Sequence, residues 1–263
     1  MEISTTVLTH CQARPDHPWQ AATGEVEQQV RERTAELESA NRELEAFSYT
    51  VSHDLQAPLR SIRGFSEALL QDYGGRLDER GTSYLHHIHE ASRQLSQLIQ
   101  DLMALGLIDK GELCARRVDL SALAEEVMAE LQAVEPQRQV EVSIAPGLAA
   151  LGNGGLLRIA LVNLLSNAWK FTRHQPRPRI ELGAVLAAGA RPFFVRDNGA
   201  GFSMDQVDRL FGVFQRLHSA EDYPGTGIGL ATVKRILRRH GGKVWAKGQP
   251  GQGATFYFTL PQP

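Results

Sequence analysis

From Glu25 to Val51 the chain runs without a glycine or a proline, and Val30, Leu37, Leu44 and Val51 recur every seven residues. Val26, Ala40 and Phe47 fill most of the alternate seam, with Arg33 as the one poor fit. A heptad repeat of this kind commits the segment to a long helix that buries one stripe against a partner. The stripe continues through Leu55, Pro58, Ile62, Phe65 and Leu69 and stops at Asp72-Tyr73-Gly74-Gly75, which reads as a turn. A second amphipathic helix, about Gly81 to Leu107, carries Leu85, Ile88, Leu95, Leu98, Ile99, Leu102 and Leu105. Two long helices joined by a short glycine-containing turn form a hairpin. A lone hairpin leaves much of both stripes wet, and two copies paired as a four-helix bundle bury them, so a homodimer is expected.

Residues 1–24 hold Pro15, Pro18 and Gly24 without apolar periodicity and read as a linker or tail. After Leu113 the texture changes. A helix to about Val134 is expected, with Asp119 or Ser121 as N-cap, followed by a strand at Gln139–Ile144 and a strong helix over 153–171. Arg179–Leu182, Pro192–Arg196, Gly242–Ala246 and Ala254–Leu260 read as strands. Their irregular alternation with helices suggests an α+β sandwich rather than a doubly wound sheet, and the chain divides near residue 112. Its 263 residues, 42% hydrophobic and 22% charged, exclude a disordered or collagen-like chain. A net charge of −2 gives no pull toward nucleic acid. Cys11 and Cys114 are too few for a disulfide framework or a four-ligand zinc site. No apolar run approaches the ~20 residues of a membrane span, and MEISTTVLTH has no signal-peptide character. A soluble, cytoplasmic setting is expected.

Several residue groups have chemical potential. At about 100° per residue, His53 lies on the far side of the helix from both Val51 and Leu55, so it points away from the stripe. An exposed neutral imidazole is a usable nucleophile, and the adjacent Asp54 carboxylate can orient it or take its proton. Pro58 removes the bond to the Asp54 carbonyl, and a kink is expected there. His86, His87 and His89 read as solvated surface. In the 153–171 helix, Asn163, Asn167 and Lys170 share one polar face, opposite Leu157, Leu161, Leu165 and Ala168. Two amides and an ammonium suit a hard cation and phosphate oxygens; an ordinary exposed face looks the same. Val195-Arg196-Asp197-Asn198-Gly199-Ala200-Gly201-Phe202 ends a strand with an acid and two glycines. Pro224-Gly225-Thr226-Gly227-Ile228-Gly229-Leu230-Ala231 then opens a helix to about His240, where backbone N–H groups and the helix dipole favour phosphate. Neither loop is a Walker or dinucleotide motif.

Taken in order, these segments resemble a sensor histidine kinase of two-component signalling over about residues 25–260. SHDLQAPLRSIRGF resembles the family's phosphoacceptor box, NLLSNAWKFT its N box, VRDNGAGF and GTGIGLA its glycine boxes, and LFGVFQRLH its phenylalanine box; GQGATFYF is also typical. The wording of the phosphoacceptor box and of FQRLHS is most similar to transmitters attached to phytochrome or PAS sensors.

The resemblance implies a dimeric helical bundle over 25–112 followed by an ATP-binding α+β sandwich of the Bergerat (GHKL) type over 113–263. It implies that His53 attacks the γ-phosphorus of ATP with Asp54 as base or orienting partner. It implies that Asp197 accepts from the adenine amino group, that Asn167 ligates Mg²⁺, and that Asn163 and Lys170 contact metal or phosphates. Gly199 and Gly201 shape the pocket, while Gly225, Thr226, Gly227, Ile228, Gly229 and Leu230 end a lid over the triphosphate. Arg216 is a phosphate contact in that lid, and Phe211 and Phe214 anchor it. The implied partners are a response-regulator receiver domain and an upstream PAS, GAF or phytochrome-like sensor.

Hydrolases of the same fold, such as gyrase, carry a glutamate at the position of Asn163 to activate water. An amide cannot do this, so transfer to histidine is favoured over hydrolysis. Two other readings stay open, a same-fold ATPase and a catalytically silent dimeric scaffold. Ala57 stands where strong phosphatases carry Thr or Asn, which lowers the expectation of phosphatase activity. Asn153 stands where aspartate is common.

Overall fold

The computed structural model describes residues 18–108, 114–185, 191–219 and 222–262. Residues 1–47 and 48–263 form two compact units. Helix α1 spans Pro18–Tyr73. Residues 18–24, expected as linker or tail, are therefore helical. A proline has no N–H to lose and its φ is already helical, so Pro18 suits a first helical position. In the first unit, Arg31 pairs with Glu27 at 3.3 Å and Arg33 with Glu36 at 2.8 Å, all four side chains being largely exposed. Arg33 thus sits in a solvated ion pair, and Val30 beside it is 58% exposed.

In the second unit α1 carries through Pro58, where the proline removes a single backbone bond. A 3₁₀ turn at Gly74–Arg76 leads to helix α2, Glu79–Leu107, where Asp78 Oδ1 accepts from the Gly81 amide at 2.7 Å. Leu59, Ser66, Ser92 and Ile99 are buried in the hairpin. Gln56 Nε2 reaches Met103 Sδ at 3.2 Å across it. His89 departs from the expected solvated surface: it is half-buried, with Nδ1 3.4 Å from Ser66 Oγ, because it faces α1. His86 and His87 are exposed. Val51, Leu55, Ile62, Phe65 and Leu69 of α1, with Ile88 and Leu95 of α2, lie exposed along the hairpin. Leu98 and Leu102, assigned from sequence to the same stripe, pack instead on the core of the following sandwich. Helix α2 therefore carries two apolar faces, and a helical wheel merges them into one.

The sandwich begins with β1 (Arg116–Asp119) and α3 (Leu120–Val134). Asp119 is the N-cap of α3, its Oδ1 accepting from the Ala122 amide at 3.0 Å. Ser121 is no cap: its hydroxyl donates to the Ala145 carbonyl and accepts from the Leu148 amide. Next come β2 (Glu141–Ile144), β3 (Ala149–Gly152) and α4 (Gly154–Phe171). Asn153 caps α4 through its Oδ1, 3.1 Å from the Leu156 amide, a structural account of that position. Then follow β4 (Arg179–Ala184), β5 (Phe193–Asp197), α5 (Gly229–Arg239), β6 (Val244–Gln249) and β7 (Gly253–Phe258).

Strands β1 and β3 form a separate antiparallel pair. The main sheet has the order β2-β4-β5-β7-β6, with β2 parallel to β4 and every other pairing antiparallel. Helices α3, α4 and α5 pack side by side against it. Leu157, Leu161, Leu164 and Leu165 of α4 are fully buried, together with Ile180, Leu182 and Phe193 of the sheet. Each such side chain contributes roughly 1.5–3 kcal/mol of transfer free energy. This packing leaves the polar face of α4 turned away from the core. Among the described residues no helix is long and apolar enough to cross a membrane.

Candidate functional site

The polar face of α4, the end of β5 and the start of α5 enclose a cavity of about 360 Å³. Asn167 and Lys170 enter it from α4, Asp197 and Gly201 from the end of β5, and Arg216 from the chain leading to α5. Gly225, Thr226, Gly227, Gly229 and Leu230 complete that side. Asn163, Gly199 and Ile228 do not line it. Asn163 donates its amide to the Ile159 carbonyl at 2.9 Å, and a Cβ on Gly229 would strike its Oδ1. Gly199 lies behind the wall, its amide donating to Asp197 Oδ1 at 2.8 Å. Ile228 is fully buried in the core. The His53 backbone is in α1; its side chain lies outside the described set, as does Cys11. Asp54 is exposed, and Cys114 is an exposed free thiol.

Electrostatics divide the cavity into two parts. Asp197 is 5% exposed, and burial raises its carboxyl to about 6, against the opposing pull of the Gly199 and Ala254 amides. Phe202, Leu210, Leu217, Ala254 and Phe256 line the same cavity, and Ala254 pairs with Asp197 across β5 and β7. A buried carboxylate among apolar walls is an acceptor awaiting a flat polar donor. At the other part stand the two cations. Burial, and then the nearby Arg216 guanidinium, lower Lys170 to about 8, and its ammonium lies over the Phe171 ring at 4.5 Å. Among the described residues neither Lys170 nor Arg216 has a carboxylate partner; Arg216 donates to the Tyr223 carbonyl at 2.9 Å. The N-terminus of α5 has no side-chain cap. Two cations without an ion-pair partner among the described residues, beside an uncapped helix start, suit an anion.

The backbone requires its glycines. Gly201 has φ 61° and Gly227 φ 74°, in the left-handed region that disfavours other residues. A Cβ on Gly227 would come within 2.9 Å of the Phe214 and Gln215 backbone, so the loop is packed against the preceding turn. Phe214 itself has φ 61° and is 58% exposed. The expected anchor is therefore Phe211 alone, which packs on the core, while Phe214 faces outward because its turn takes a left-handed conformation.

Sequence reasoning missed three aromatic rings here. Phe171, His218 and Tyr223 pack against one another in tilted and edge-on contacts with centroids 5.0–5.3 Å apart, and His218 Nε2 lies 2.9 Å from the Gly201 carbonyl. They tie the two glycine loops together. Phe171 and His218 lie inside the quoted motifs, but only their position on the cavity wall reveals this role. Gln97 and Asp101 of α2 also line the cavity, and nothing in their spacing separates them from a solvated face.

A mixed sheet under three helices, with a glycine-lined cationic cavity at one end, defines a nucleotide-binding sandwich carried behind a helical hairpin. The sequence comparisons refine this class. Residues 152–263 match the Histidine kinase-, DNA gyrase B-, and HSP90-like ATPase family, and residues 43–111 match the His Kinase A (phospho-acceptor) domain. The chain belongs to the histidine kinase family.

It is 34% identical to the methanogenesis regulatory histidine kinase FilI of Methanothrix harundinacea over 89% of this chain and 26% of that protein. It is 33% identical to cyanobacterial phytochrome A of Nostoc sp. over 86% of this chain and 29% of that protein. The structure of full-length ShkA in complex with AMPPNP superposes with a TM-score of 0.62 at 29% identity, covering 82% of this chain and 45% of that one. The chain thus spans under a third of the length of these two curated relatives.

Proposed function

We propose that this chain is the transmitter of a two-component signalling kinase, which autophosphorylates on His53 from ATP and passes the group to an aspartate of a response regulator. The carrying observation is the divided cavity: a buried carboxylate among apolar walls at one part, and two unpaired cations with an uncapped helix start at the other. Adenine fits the first, its amino group donating to ionised Asp197. The polyphosphate fits the second, held by Lys170, Arg216 and the amides of the Gly225–Gly229 loop. Asn167 faces the cavity with no hydrogen-bond partner among the described residues, and an amide oxygen is a fitting donor for a hard cation. Mg²⁺ held there would neutralise phosphate charge.

The transfer is a displacement at phosphorus. The lone pair of the neutral His53 imidazole forms an N–P bond to the γ-phosphorus. The bond from that phosphorus to the β,γ-bridging oxygen breaks, and its electrons leave with ADP. The imidazole N–H proton passes to a base, for which the adjacent Asp54 carboxylate is placed in sequence. Phosphoryl transfer requires mainly positioning and charge neutralisation, which Lys170, Arg216 and the loop amides supply. The exposed apolar row on α1 and α2 is read as the seam of a homodimer, closing a four-helix bundle. The matched phosphoacceptor domain and the sensor-linked relatives support the same reading, with a sensor upstream.

Incubation with γ-labelled ATP and Mg²⁺ tests it. The expected label is acid-labile and alkali-stable, and absent from His53→Ala. Release of inorganic phosphate with no label on the chain overturns the reading in favour of a same-fold ATPase.

A further inference from the structure

Thr226 Oγ1 donates to Asp101 Oδ2 at 2.7 Å, a bond between residues 125 apart in sequence. Thr226 stands inside the Gly225–Gly229 loop, and Asp101 projects from α2 of the hairpin; both line the cavity. The carboxylate is held in place from its own helix, since Gln97 Nε2 donates to Asp101 Oδ1 at 2.8 Å. Leu98 and Leu102, on the neighbouring face of α2, pack on the sandwich core and fix the helix against the loop.

This arrangement opposes a polyphosphate in two ways. A threonine hydroxyl has one proton, and here it is committed to Asp101 rather than to a ligand. The carboxylate also places a negative charge in the cavity that holds Lys170 and Arg216, where it repels an incoming polyanion at short range.

We propose that Asp101 is a positioning residue for the loop: it holds Thr226 to α2 in competition with a polyphosphate, and binding of a nucleoside triphosphate must release it. The idea rests on the reading of this cavity as the ATP site. Since Asp101 belongs to the hairpin and Thr226 to the sandwich, the bond ties nucleotide affinity to the placement of α2. The base end of the cavity takes no part, so the latch acts on phosphates and leaves adenosine alone.

Calorimetric titration of the full chain with Mg²⁺–AMPPNP and, separately, with adenosine tests the latch, using wild type, Asp101→Ala and Asp101→Asn. Binding to Asp101→Ala no longer has to break this charge-assisted hydrogen bond, so that variant is expected to bind AMPPNP roughly tenfold more tightly. Asp101→Asn keeps an acceptor for Thr226 without the charge and is expected to show a smaller gain. Adenosine affinity is expected to stay unchanged in both variants. A merely structural aspartate would weaken binding on removal, so a gain separates the two roles. Equal or weaker AMPPNP binding by Asp101→Ala overturns the latch, as does an equal gain for adenosine. Failure of the wild type to bind AMPPNP overturns the ATP site itself, and the latch with it.

Discussion

The hairpin and the sandwich bury their apolar residues in opposite ways. In the sandwich, α4 alone places four leucines at 2% exposure or less against the sheet, and the core is closed within one chain. In the hairpin, Leu59 and Ile99 are buried, while Phe65 is 73% exposed and Ile62 45%. The five-residue row on α1, Val51, Leu55, Ile62, Phe65 and Leu69, is larger than surface scatter and needs a cover. The sandwich is thus complete as a monomer, whereas the hairpin is half of something. On the proposed function that difference separates two tasks: nucleotide binding in a cavity closed within one chain, and a histidine carried on an assembly that depends on pairing.

The largest expected effect falls on the hairpin. Ile62→Asp puts a charge into the row that the proposed dimer buries twice, and should weaken self-association by at least about a hundredfold, since an unpaired buried charge costs several kcal/mol per site. Sedimentation equilibrium reads it, and nucleotide titration of the same variant should be unchanged. A variant that stays dimeric would break the comparison.

Leu165→Ala in the sandwich reverses the pattern. It opens a cavity in a closed core and should lower unfolding free energy by about 2–5 kcal/mol in urea titration, while the hairpin stripe is untouched. Asp197→Ala should next weaken AMPPNP binding by up to about a hundredfold, the effect of losing a charged buried acceptor. Circular dichroism should show the fold retained.

The smallest effects are pH-dependent, and their signs oppose one another. Folded Asp197 holds its proton more tightly than an unfolded aspartate, so over the window from 3.8 to about 6 this group makes the fold less stable as pH rises. Its ionisation costs the folded state on the order of 3 kcal/mol at neutral pH. With Asp197 in its proposed role as acceptor from adenine, nucleotide affinity should fall as pH drops through about 6, by up to about tenfold per unit. Acid therefore strengthens the empty fold through this residue and weakens the complex. Asp197→Asn should lose both dependences. At the alkaline end, Lys170 loses its charge above about 8, and phosphate affinity should decline there.

Much of this was legible in the sequence, because periodicity and turn chemistry report local structure well. The hairpin, its turn, helices α3 to α5 and the five-stranded sheet all carry such signals. Strands β1 and β3 escaped because Arg116–Asp119 holds a single apolar residue, Val118, and Ala149–Gly152 has neither a β-branched nor an aromatic side chain. Asp119 also ends β1 and caps α3, so its sequence signal belonged to the helix.

At the site, Asn167, Lys170, Asp197 and the glycines were legible as motifs. The aromatic tie of Phe171, His218 and Tyr223 and the Asp101–Thr226 bond were not, since both join segments far apart in the chain. The two faces of α2 illustrate the same limit. Leu95 and Leu98 are three residues apart on one wheel, and only the packed fold sends the second toward the sandwich.

The central claim is that a phosphoryl group moves from the sandwich's pocket to a histidine on the hairpin. Site mapping by mass spectrometry under alkaline conditions, after incubation of the full chain with ATP and Mg²⁺, tests it most directly. The phosphoryl group is expected on His53 and on none of the other eight of the chain's nine histidines. Phosphate on His86, His87 or His218 instead, or on no histidine while ATP is consumed, would contradict it.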